Sequence, residues 1–150
     1  MFRPVVAIAT LTLSSLAWAD QPCSVDIHGT DQMTYDLTTI KVPASCKKFT
    51  VTLQHPGEMP KNVMGHNWVL TKEADMQAVT EAGAKAGEAE SYIEKGDQRV
   101  LAHTKLIGGG EEDSVTLDTA ALKKAGGPLV FFCSYPFHST MMKGTLTLGG

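Results

Sequence analysis

Basic residues are few and scattered in this chain. Thirteen Lys and Arg stand against sixteen Asp and Glu, and no cationic run exceeds the pairs Lys47-Lys48 and Lys123-Lys124. Such a surface offers no electrostatic footprint for a phosphate backbone, so nucleic acid is not expected as a partner. Long hydrophobic runs are lacking as well. The one extended apolar stretch, Val5 to Leu16, falls short of the roughly 20 residues that a helix needs to cross a bilayer, and no later segment approaches that length. Arg3 precedes this stretch and Ala17-Trp18-Ala19 closes it with a small-x-small pattern, the layout of a secretory signal peptide cleaved after residue 19. Loss of Arg3 takes the formal charge from −3 to −4. Residues 20–150 then form the mature chain, with apolar content for one domain and one core, a soluble product and a monomer by size.

Cysteine is also sparse: Cys23, Cys46 and Cys133 are an odd set in a chain bound for an oxidising compartment, so one must stay unpaired. Cys23 and Cys46 lie in polar, strand-like stretches. Cys133 follows Leu129-Val130-Phe131-Phe132 and precedes a His and two Met. These surroundings pair Cys23 with Cys46, closing a loop of about 24 residues that stabilises by roughly 3 kcal/mol on the chain-entropy estimate. Cys133 is left with a separate role.

Short runs rich in β-branched residues, separated by turn formers, predict strands at residues 24–28, 39–42, 49–53, 67–70, 99–104, 114–117, 129–132 and 144–148. Strands at such spacing define an all-β sandwich. The exception is Glu73 to Ala89, where Ala, Glu, Met, Gln and Lys predict one inserted helix whose end is blurred by Gly83 and Gly87. Gly108-Gly109-Gly110 runs straight into Glu111-Glu112-Asp113 with no Lys-Ser/Thr to follow, which reads as a turn and not as a phosphate loop.

The chemistry concentrates between Phe132 and Gly144, where a thiol, an imidazole and the thioethers of Met141 and Met142 share one loop without a carboxylate. Soft sulfur plus imidazole favours copper, with zinc the competitor, whereas calcium or magnesium would need oxygen ligands. His66, at the entry to a strand, is the natural second imidazole. A trigonal His₂Cys set with a long axial Met or backbone oxygen is the arrangement of blue-copper electron-transfer sites. A Cys-His nucleophile is the rival chemistry, but nothing here marks an oxyanion hole or an acid to orient the His.

At these residues the sequence resembles the azurins, blue-copper proteins of the cupredoxin family. Residues 62–70, 102–108 and 131–148 carry the resemblance, in order, and it runs from Cys23 to Leu148. It implies a Greek-key β-sandwich (cupredoxin-like) of about eight strands with one inserted helix, the Cys23-Cys46 disulfide, and one copper per chain. It further implies His66, Cys133 and His138 as equatorial ligands, Met142 as the axial thioether where composition leaves Met141 and Met142 open, and the Gly65 carbonyl on the opposite axial side. The backbone N–H groups of Asn67 and Tyr135 are expected to point at the thiolate, a kind of outer contact that tunes a metal. His55 and His103 match histidines that are not ligands.

The function so implied is that of a periplasmic electron carrier, not an enzyme, cycling Cu(II)/Cu(I) between redox proteins such as periplasmic cytochromes or reductases. Copper binding or sequestration without electron transfer is the alternative. The docking surface would be an apolar patch of Met33, Met59, Pro60, Val63, Met64, Pro136 and Phe137 beside His138. Phe137 departs from the family pattern, which has Gly before the second His. A more shielded copper, altered partner packing and a raised potential are the expected consequences.

Overall fold

The structure, a computed structural model, describes residues 21–149; the signal-peptide reading of residues 1–19 lies outside the described residues. Eight strands form two sheets. β1 (Ser24–His28), β3 (Lys48–Gln54) and β6 (Glu112–Asp118) make a three-stranded sheet in the order β1-β3-β6. β2 (Thr39–Val42), β8 (Lys143–Leu148), β7 (Leu129–Phe132), β4 (Val69–Lys72) and β5 (Ala102–His103) make a five-stranded sheet in that order. β1/β3 and β2/β8 pair in parallel and the other neighbours antiparallel.

Period-2 patterning produces this arrangement. In β3, Phe49, Val51 and Leu53 are buried while the residues between them are not, so one face meets the core and one meets water. Ile27, Ile40, Val42, Leu70, Phe131 and Leu146 complete the packing between the sheets around Trp68, which is fully buried and stacked on Phe131 with ring centroids 5.7 Å apart. β7 is buried at all four positions because its outer face is covered too: Val69 and Phe132 pack with Val79 and Ile93 in a second, smaller cluster. A strand covered on both faces reads as an unbroken apolar run, as Leu129-Val130-Phe131-Phe132 does.

The predicted helix over Glu73 to Ala89 is a single α-helix, α2 (Met76–Ala86), with 3₁₀ turns at Glu73–Asp75 and Glu88–Glu90 on either side. Gly87 ends it at φ 78°, a conformation that favours glycine. Gly83 lies inside it for a packing reason, since a Cβ there would come within 2.0 Å of the Tyr92 carbonyl oxygen. Two helices were not expected: α1 (Lys61–Met64), and α3 (Thr119–Ala125), which is capped by the Asp118 carboxylate accepting from Ala121 N–H. The strand expected at 99–104 contracts to Ala102–His103, and that expected at 67–70 starts two residues later, since the backbone of His66 and Trp68 bonds to Ile107 and Thr104 outside the ladder. Cys23 and Cys46 are disulfide-bonded, tying the start of β1 to the turn before β3, with 23 residues of separation. No helix among the described residues is long and apolar enough to cross a membrane.

Candidate metal centre

Strand register assembles the site. β4 and β7 run antiparallel with Val69 opposite Phe132, so continuing the same register sets Asn67 beside Ser134 where both strands end. β7 and β8 pair Leu129 with Leu146 and Phe132 with Lys143, which carries Cys133 opposite Met142. Cys133 N–H donates to the Met142 carbonyl at 3.0 Å and Met142 N–H donates to the His138 carbonyl at 2.8 Å, closing the loop upon itself. His66 is placed by an isolated bridge to Ile107, with N···O distances of 3.0 and 2.8 Å in the two directions.

Among the described residues, one group of metal-binding side chains gathers: His66, Cys133 and His138 place their donor atoms within 4.8 Å of one another, all buried. Cys133 Sγ lies 3.6 Å from His138 Nδ1 and 3.9 Å from the Gly65 carbonyl oxygen. Met142 is fully buried whereas Met141 is 63% exposed, so only one of the two thioethers faces inward. Gly65 approaches the chain closely, since a Cβ would stand 2.3 Å from the Lys61 carbonyl oxygen.

The electrostatics suit a cation. His66 donates its Nε2–H to the Thr30 carbonyl at 2.9 Å, which leaves the Nδ1 lone pair bare, and that atom is buried without a hydrogen-bond partner. An orphaned buried acceptor costs a desolvation penalty unless something binds it. Burial lowers the pKa of His66 and of His138 to about 4, so both rings are neutral and able to ligate at neutral pH. Burial pushes the Cys133 thiol up to about 12, opposed by the backbone N–H groups of Asn67 and Tyr135. With the site dry, the thiolate is unfavourable until a cation replaces the thiol proton.

Rigidity comes from the groups around the donors. Asn67 donates from Nδ2 to the Ser91 carbonyl and to Ser134 Oγ and accepts from Ser134 N–H, each at 2.8 Å. Tyr35 OH donates to the Asn67 carbonyl, and Tyr135 OH to that of Asn62 at 3.0 Å. The Tyr135 ring lies 4.5 Å from that of His138, and His55 lies 4.5 Å from His66 while donating from Nε2 to Asp31 Oδ1 at 2.9 Å. His103 is exposed on β5, its Nδ1–H turned to the Thr104 carbonyl at 3.0 Å. No local signal marks the Asn67-Ser134-Ser91 network: strand register sets Asn67 beside Ser134, and the turn after α2 brings Ser91 to them.

Of the expected docking residues, Met59, Val63 and Phe137 are exposed large apolar side chains and Pro60 is exposed, whereas Met33, Met64 and Pro136 are half-buried. Met141 joins the exposed apolar set without having been expected there. Phe137 is 87% exposed and at φ 69°, so its ring stands in water and adds little low-dielectric material around the donors.

A buried set of two imidazoles and a thiol, with a buried thioether on the same loop, defines a soft-metal centre in a cupredoxin-type sandwich. The comparisons with known proteins agree. The family model described as copper binding proteins, plastocyanin/azurin family, matches residues 21–149, and the chain belongs to that family. It is 53% identical to the azurin of Pseudomonas aeruginosa and 56% identical to that of Bordetella pertussis, each match covering 99% of both chains. It is 61% identical to the azurin of Pseudomonas denitrificans over 84% of this chain and 98% of that one. Copper is therefore the metal of this cluster, and the protein is a blue-copper electron carrier and not an enzyme.

Proposed function

We propose that the protein is exported by cleavage of residues 1–19 and serves in the periplasm, passing single electrons between soluble or membrane-bound redox proteins such as cytochromes and reductases. His66 Nδ1, Cys133 Sγ and His138 Nδ1 would hold the copper, with the Met142 thioether and the Gly65 carbonyl oxygen as further donors. Copper supplies a one-electron couple there.

The observation that carries this reading is the orphaned His66 Nδ1 facing a buried thiol and a second neutral imidazole. The chain's own residues do the remaining work. Thr30 fixes the His66 tautomer; the N–H groups of Asn67 and Tyr135 favour the thiolate; the Asn67 network resists movement of the loops. Donors held by strand register and by hydrogen bonds change little between oxidation states, which lowers the reorganisation that accompanies electron transfer. His138, on the loop that carries Phe137 and Met141, lies closest in sequence to the exposed apolar surface and would be the exit for the electron.

Cyclic voltammetry of the copper-loaded protein, run with a Cu(I) chelator in solution, tests the assignment. A reversible one-electron wave that survives the chelator supports a carrier. Loss of copper to the chelator on each reduction would favour sequestration instead.

A further inference from the structure

Phe137 holds φ 69° and ψ −12°, in the left-handed region, where a Cβ crowds the backbone. A bulky residue there is an outlier. The turn is pinned on both sides, since Thr140 Oγ1 donates to the Phe137 carbonyl at 2.9 Å and His138 N–H donates to the Tyr135 carbonyl at 3.0 Å. These bonds hold the backbone, while the ring itself is 87% exposed and gains little from packing among the described residues. The next residue, His138, is 2% exposed. A bulky side chain kept in strained backbone at a functional loop, held there by the turn and unpacked by its own chain, points outward to what the ring meets.

The remaining exposed large apolar side chains, Met59, Val63 and Met141, stand on the same two loops that supply the donors. None of the four carries charge. We propose that Phe137 is a specificity-determining residue for electron exchange: its protruding ring holds flat apolar partners away from His138. A redox protein reaches that histidine only by receiving the ring in an apolar recess beside its own cofactor. The inference rests on the electron-carrier reading above. A second copy of this chain presents the same exposed ring, so a two-fold contact across the patch sets ring against ring.

The test compares wild type with Phe137→Gly and Phe137→Ala, the latter removing the ring while keeping a Cβ and the strain. Self-exchange between the Cu(I) and Cu(II) forms, read from NMR line broadening, has zero driving force and reports access alone. Oxidation by hexacyanoferrate(III), small enough to pass beside the ring, is the internal reference. The ratio of self-exchange to hexacyanoferrate rate should rise about tenfold or more in both variants, within the range over which one interface varies its association rate. An unchanged or lowered ratio overturns the proposal, as does a rise confined to Phe137→Gly, which would assign the effect to the backbone. Absence of a reversible copper couple in the wild type would instead sink the carrier reading itself.

Discussion

Replacing Asn67 with Ala should uncouple the two loops of the site without touching a donor. The side chain makes three hydrogen bonds at 2.8 Å, to the Ser91 carbonyl, to Ser134 Oγ and from Ser134 N–H. Asn67 is fully buried and Ser134 is 1% exposed, so water cannot replace the lost partners without rearrangement. Each bond contributes about 1 kcal/mol net, and an abandoned buried partner adds a penalty of roughly 1–3 kcal/mol. The expected loss is about 3–5 kcal/mol, a large share of the 5–15 kcal/mol typical of a domain, or roughly 10–20 °C in Tm for a chain of this size. Urea unfolding of the metal-free protein at pH 7 measures it, free of the contribution from bound copper. Ser134→Ala removes the bond it shares with Asn67 and one more, from Ser134 Oγ to the Tyr92 carbonyl at 2.8 Å. A double-mutant cycle should therefore show a coupling of about 1 kcal/mol. A loss below about 1 kcal/mol for Asn67→Ala, together with additivity in the cycle, would refute the claim that this network fixes the site.

Removing the disulfide by Cys23→Ser and Cys46→Ser should cost roughly 3 kcal/mol by urea unfolding, since the bridge closes a loop of 23 residues' separation. In the metal-free protein, His66 and His138 have folded pKa values depressed to about 4 against about 6.5 in the unfolded chain. The unfolded state therefore binds more protons at acid pH, and stability should be full above pH 6.5 and fall by a few kcal/mol as the pH drops towards 4. A flat profile across that window would contradict the burial argument. Copper(II) binding between pH 7 and 8 should release one proton, because the Cys133 thiol sits near 12 while both imidazoles are already neutral. Titration calorimetry in buffers of different ionisation enthalpy counts that proton, and a count near zero would mean that the thiol does not take part.

How much of this was legible beforehand differs from element to element. β3 announces itself by strict alternation, and Leu129 to Phe132 by an unbroken apolar run, because burial writes directly into side-chain type. α3 was missed although its signals are local: Asp118 as N-cap, Lys123 and Lys124 in the last turn, and Gly126 after the end. Seven residues are too short for helical periodicity to stand out between two strands. The choice between Met141 and Met142 could not be made from composition, because both are the same residue; the β7–β8 register makes it by turning Met142 inward opposite Cys133. His66 and Cys133 are 67 positions apart, and the contacts between their neighbourhoods, including the Asn67 network, arise only when β4 and β7 pair. Residue types thus named the chemistry of the site, and strand pairing determined its geometry.

The function rests on His66, Cys133 and His138 forming one buried copper-thiolate centre. A visible absorption spectrum of the purified protein after one equivalent of Cu(II), repeated with ascorbate and with the Cys133→Ser variant, tests it most directly. The expected result is an intense blue band that ascorbate bleaches, that an oxidant restores and that the variant lacks. A wild-type protein that binds the metal yet stays colourless, or a variant that keeps the band, would contradict it.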